Sequence, residues 1–125
     1  MQNLNLYKCM KCNTLIQQLD ESNANIECCN TKMTKIEANT FEASTEKHIP
    51  IYELSNSEII VTIGEIEHPM EKDHYIMWIA LVSENRITKV KLYPEQATTT
   101  RLPYIPKSTI YAYCNKHGLW KKEVK

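Results

Sequence analysis

Five cysteines and four histidines are the side chains of this sequence best able to hold a metal, and they fall into two groups. Cys9, Cys12, Cys28 and Cys29 lie in the first 36 residues with no histidine among them, whereas Cys114 and every histidine lie beyond. Two separate sites are implied. Cys9-Met10-Lys11-Cys12 is a Cys-x2-Cys pair of the kind that chelates from a tight turn, and Cys28-Cys29 supplies an adjacent pair. Adjacent side chains on extended backbone point apart, so this second pair must distort locally to share an ion with the first. Four thiolates suit iron, and they suit structural zinc just as readily. Either metal would help fold a segment too short to stand on apolar burial alone.

The second group is Glu46-Lys47-His48-Ile49-Pro50, His68-Pro69-Met70, His74-Tyr75-Ile76 and Cys114-Asn115-Lys116-His117-Gly118-Leu119-Trp120. Each signal is weak alone, because a lone histidine is commonly a surface or satisfied core residue. His117 follows Cys114 by three positions, a link so short that it favours coordination by the nearer ring nitrogen, Nδ1. Trp78 and Trp120 read as core residues, with screening of a metal as the alternative, and Glu46-Lys47, taken alone, reads as a solvated charge pair.

In this order the motifs resemble the catalytic domain of superoxide reductases over residues 38–125, and Cys-x2-Cys followed by Cys-Cys resembles desulforedoxin over about residues 5–36. Together they resemble the desulfoferrodoxins, which are two-iron superoxide reductases. The resemblance implies an iron with four imidazole nitrogens in a plane, from His48, His68, His74 and His117, and the Cys114 sulfur on the axis. His117 would bind through Nδ1 and the other three through Nε2. A second iron is implied at Cys9, Cys12, Cys28 and Cys29, with zinc as the alternative occupant. Glu46 is expected to occupy the open position of the oxidised iron, and Lys47 to attract superoxide and help protonate the product. A rubredoxin-like electron donor and a homodimer are implied as well. Asn13 and Asn30 after the cysteine pairs, and the glycine-free stretch Asp20 to Asn25, depart from the desulforedoxin pattern.

The elements that must position these residues are strands. Ile59, Val61 and Ile63 alternate with Ile60 and Thr62, and Thr88, Val90 and Leu92 alternate with Lys89 and Lys91, which is the period of a half-buried strand. Further β-rich runs lie at Ile49 to Leu54, His74 to Val82 and Ser108 to Cys114, with prolines between them. The expected fold class is all-β: a small desulforedoxin-like metal module over 1–36, then an immunoglobulin-like antiparallel β-sandwich over 37–125. Glu37 to Thr45 reads as the linker. Cys114 shares strand parity with Ile110 and Ala112, and His74 with Ile76, Trp78, Ala80 and Val82, which places both at ends of core strands. With only two glycines, the turns are expected to be long or to use Asn and Asp.

Composition excludes other classes. Fifteen basic and fifteen acidic side chains cancel, which removes the footprint of a nucleic-acid binder. No apolar run reaches the roughly 20 residues that span a bilayer, and the first residues lack a secretory pattern. A cytoplasmic protein is expected, in which cysteines serve as ligands and not as disulfides. The competing reading is a non-enzymatic metal-binding or electron-transfer protein whose histidines are scattered over its surface.

Overall fold

The computed structural model describes residues 2–40, 45–64 and 68–125, apart from the side chains of Thr45 and Glu46. It divides into two compact units, Asn3–Glu37 and Ala38–Lys125, the latter joined by Gln2.

In the smaller unit, strand β1 (Asn5–Lys8) lies between β2 (Leu15–Gln18) and β5 (Thr34–Ile36), both antiparallel to it, while β3 (Glu27–Cys28) and β4 (Thr31–Lys32) form a short hairpin. Its buried apolar residues are Leu4, Leu6, Cys9 and Met33. So small an apolar set can supply little folding free energy by burial alone.

The larger unit begins with one helical turn, α1 (Thr45–His48). Strands β6 (Pro50–Ser55), β7 (Glu58–Ile63) and β10 (Thr99–Pro103) form a sheet ordered β10-β7-β6, and β8 (Ile76–Val82), β9 (Ile87–Lys91), β11 (Thr109–Cys114) and β12 (Gly118–Glu123) form a second ordered β12-β11-β8-β9. All the pairings are antiparallel. Ile59, Val61 and Ile63 from the first sheet meet Ile76, Ile79, Leu81, Ile110, Ala112 and Cys114 from the second in one core. The fold is an immunoglobulin-like sandwich, as the alternating runs require.

The parity expected for β8 fails at one point. Tyr113 pairs with Trp78 but Cys114 pairs with Ile76, so Met77 is an extra residue in β8. This bulge switches faces: Ile76 joins the core with Ile79 and Leu81, while Trp78 turns to the opposite face and stacks on Tyr113 at 5.7 Å. Lys89 Nζ covers the Trp78 ring at 4.7 Å. Trp78 is therefore buried on the outer face and is not a member of the core cluster.

Asparagine does serve the turns. Asn13, Asn30, Asn39 and Asn56 all have φ between 57° and 65°, the left-handed region that asparagine tolerates better than other residues with a Cβ.

Candidate metal centres

The four-cysteine cluster is built from two turns. In the first, the Asn13 amide donates to the Cys9 carbonyl at 2.9 Å and the Cys9 amide to the Thr14 carbonyl at 2.9 Å, folding Cys9 and Cys12 together with Asn13 at φ 65°. In the second, Cys29 and Asn30 have φ of 52° and 57°, the local distortion that lets adjacent cysteines face one point. The four sulfurs lie within 4.8 Å of one another. Asn13 and Asn30, which depart from the desulforedoxin pattern, occupy these left-handed positions. The Thr14 hydroxyl, 3.0 Å from Cys12 Sγ, and the Thr14 backbone lower the Cys12 thiol to about 6. Its neighbour Cys28 is pushed up to about 12 by Cys12 and Cys9, and Cys29 is raised by the same crowding. A thiol that ionises readily beside two that resist ionising is a cluster that a cation would relieve.

The second centre draws on four segments of the larger unit. His48 closes α1, His68 precedes Pro69, His74 stands two residues before β8, and Cys114 ends β11, from which a loop of Asn115, Lys116 and His117 leads to Gly118. Gly118, opposite Cys114, has a φ of 78°, which lets β12 start at once and turns His117 back beside the sulfur.

The four imidazoles close a ring. His48 to His68, His68 to His74, His74 to His117 and His117 to His48 have centroid separations of 4.6, 4.9, 4.9 and 4.8 Å, each pair nearly perpendicular. His48 Nε2 and His117 Nδ1 are 3.0 Å apart, and Cys114 Sγ lies 4.0 Å from the same Nδ1. Two nitrogens bound at about 2.1 Å and at right angles would be about 3.0 Å apart, which matches. His68 Nδ1 lies 2.7 Å from the Pro69 carbonyl, which makes it the protonated nitrogen and leaves Nε2 with its lone pair. His68 Nε2 and His74 Nε2 are buried with no hydrogen-bond partner among the described residues. Buried nitrogens of this kind are costly unless a cation uses them. The donor set therefore fits a metal, and five donors exceed the closed tetrahedron of structural zinc.

Electrostatics favour the neutral form of two of the imidazoles. Burial lowers His68 to about 4, against a smaller upward pull from the Pro69 carbonyl. His74 is lowered by burial, then by the charges of His117, Lys116 and Lys47, with Glu71 opposing. Burial raises the Cys114 thiol, while hydrogen bonds from the Lys116 and His117 backbone favour its thiolate.

Because the His68 pKa falls from 6.5 unfolded to about 4 folded, the unfolded chain binds the extra proton first, and stability is lost as pH falls between those values. Metal-free protein should lose about 2–3 kcal/mol more than its His68→Gln variant between pH 7 and pH 4. Urea titrations of both proteins check this, and equal losses would contradict it.

Trp120 fills the core, as its sequence reading implies, and also bears directly on the site. It is fully buried, stacks on His48 at 4.9 Å and 23°, and donates Nε1–H to the His117 carbonyl at 3.0 Å. The signal available in the sequence was its place three residues after His117. Lys47 is exposed, and its charge reaches His74. The Glu46 side chain lies outside the described residues.

A sandwich of two antiparallel sheets carrying a ring of imidazoles and a buried thiol defines an all-β metalloprotein with mixed nitrogen and sulfur donors. The chain belongs to the desulfoferrodoxin family, whose model matches residues 40–123. The desulfoferrodoxin of Clostridium acetobutylicum is 36% identical over 121 residues, covering 97% of each chain. Among solved structures, the superoxide reductase of Treponema pallidum is similar with a TM-score of 0.75 and 25% identity, over 97% of this chain and 99% of that one. The one-iron superoxide reductase of Giardia intestinalis matches with a TM-score of 0.57 and 26% identity, over 64% of this chain and 98% of its own.

Proposed function

We propose that this protein is a superoxide reductase: superoxide takes one electron and two protons and leaves as hydrogen peroxide, with no dioxygen formed. The observation that carries this is the closed ring of His48, His68, His74 and His117 with buried Cys114, all five donor atoms lying within 4.8 Å of one another. That grouping also disfavours the competing reading of histidines scattered over the surface. Iron bound there would supply the electron, with a thiolate donor to push electron density toward the substrate side. The chain's part is to hold four neutral imidazoles and one sulfur around a point, to keep His68 and His74 from taking protons, and to bring an anion to the opening.

Lys47 is assigned to that last task and to proton supply, on its exposure, its place beside His48 and the reach of its charge to His74. Glu46 is assigned to occupy the open position after product has gone. Superoxide is an anion, so Lys47→Glu should react more slowly than Lys47→Ala, and the gap should shrink as the screening length falls to about 10 Å near 0.1 M salt. Second-order rates at several ionic strengths read this directly. Equal rates for the two variants would remove Lys47 from steering.

We assign iron to the four-cysteine cluster too, making the smaller unit a desulforedoxin-like module over 1–36 and the rest the catalytic domain, with zinc as the alternative for that cluster. Its small apolar core supports a homodimer in which a second copy covers it. None of the five cysteines is in a disulfide, in keeping with a reducing cytoplasm, and a rubredoxin-like protein is the proposed donor of electrons. Among the described residues no helix is long and apolar enough to cross a membrane.

Metal analysis with a visible spectrum tests the assignment. About two irons per chain and a coloured oxidised protein are expected, since the two donor sets share no residue. One zinc and no colour would refute it.

A further inference from the structure

His74 stands outside any strand, two residues before β8, so something other than a sheet ladder must fix it. On one side its backbone forms an isolated antiparallel bridge with Glu71, the two exchanging amide hydrogen bonds of 2.9 and 3.1 Å. On the other side stands Asn115. Its Nδ2 donates to the Asp73 carbonyl at 2.9 Å, its Oδ1 accepts from the Tyr75 amide at 3.0 Å, and its own amide donates to the Tyr75 carbonyl at 3.2 Å. Those are the backbone groups that bracket His74.

We propose that Asn115 is a positioning residue that fixes His74 against the Cys114–His117 loop, so that donors from two segments 40 residues apart hold one geometry. The proposal rests on the reading of His74 as a metal ligand. The chemistry of the side chain suits the task narrowly. A carboxamide of this length donates to one peptide and accepts from another at once, and both partners agree on which end is oxygen. Aspartate would set a second acceptor against the Asp73 carbonyl, and alanine would leave two peptide groups without a partner. The main-chain bond from Asn115 to Tyr75 extends the β8–β11 pairing past the bulge at Met77, where the ladder is already irregular. The side chain thus takes over where the ladder ends.

The test uses iron-loaded wild type, Asn115→Ala and Asn115→Asp. Iron of the five-residue centre is followed by the thiolate absorption that Cys114→Ser abolishes. Two quantities are read: the rate of iron loss to excess chelator and the paramagnetic resonance spectrum of the oxidised centre. Outer partners of metal ligands commonly contribute about 10–100-fold to affinity, so Asn115→Ala should lose iron about tenfold faster or more, with an altered spectrum. A purely structural role would lower the melting temperature without moving the spectrum. Wild-type values for either readout overturn the proposal, whatever the melting temperature does. If Asn115→Ala does not fold, Asn115→Asp decides by the same two readouts. If wild type itself shows no Cys114-dependent absorption, the functional reading falls, and this inference with it.

Discussion

Cys114→Ser should abolish peroxide formation, with a fall of at least about a hundredfold in the rate with superoxide. Cysteine has an ordinary pKa near 8.5 and serine's hydroxyl is not ionised in water at neutral pH, so the substitution removes a negative donor and leaves a neutral one. Outer-shell changes alone cost about 10–100-fold at metal sites, and loss of a donor should exceed that. The sulfur has no competing role in solvent, because Cys114 is fully buried in the core at the end of β11. The fold should survive, since serine is close in volume and the neighbouring Ile110 and Ala112 remain packed. Rapid mixing of the pre-reduced variant with superoxide, with iron content measured alongside, reads the effect. Near-normal reduction by a variant that holds its iron would remove Cys114 from the mechanism.

The parts of this molecule that follow a simple period were legible in its sequence. Ile59, Val61 and Ile63 are buried while Glu58, Ile60 and Thr62 are less so, because β7 packs one face on the core. The grouping of the histidines with Cys114, and of the other four cysteines with one another, was legible too, and the structure brings each group together. Three features were not. The bulge at Met77 breaks the parity of β8, and a one-residue irregularity leaves no mark in a pattern read two residues at a time. Trp120 could not be told from a core tryptophan, since its stacking on His48 depends on how α1 meets β12 in space. Strands β10 and β12 were not picked out as runs, and β12, with Lys121, Lys122 and Glu123 at an edge, carries the charges by which edge strands are protected. Conversely, Asn13 and Asn30 looked like departures until their left-handed φ values showed what such a turn requires.

Cys28→Ser should strip or change the metal of the smaller unit while leaving superoxide reduction largely intact. Cys9, Cys12, Cys28 and Cys29 all belong to Asn3–Glu37, and the other five donors all belong to Ala38–Lys125, so neither centre borrows a ligand from the other unit. With few buried apolar residues of its own, the smaller unit should loosen once a thiolate is lost, and the proposed dimer should weaken with it. The expected result is loss of about one metal per chain with a single-turnover rate within about twofold of wild type, since the catalytic donor set is unchanged. A collapse of that rate, in protein that keeps its second iron and its mass in solution, would make the four-cysteine centre part of the catalytic machinery.

The central claim is tested most directly by the products of one turnover. Fully reduced protein mixed with a limiting amount of superoxide should yield one hydrogen peroxide for each superoxide consumed and one five-residue centre oxidised, with no dioxygen released. Dioxygen appearing together with half as much peroxide would show dismutation, and no oxidation of the centre at all would show that His48, His68, His74, Cys114 and His117 do not hold the reductant.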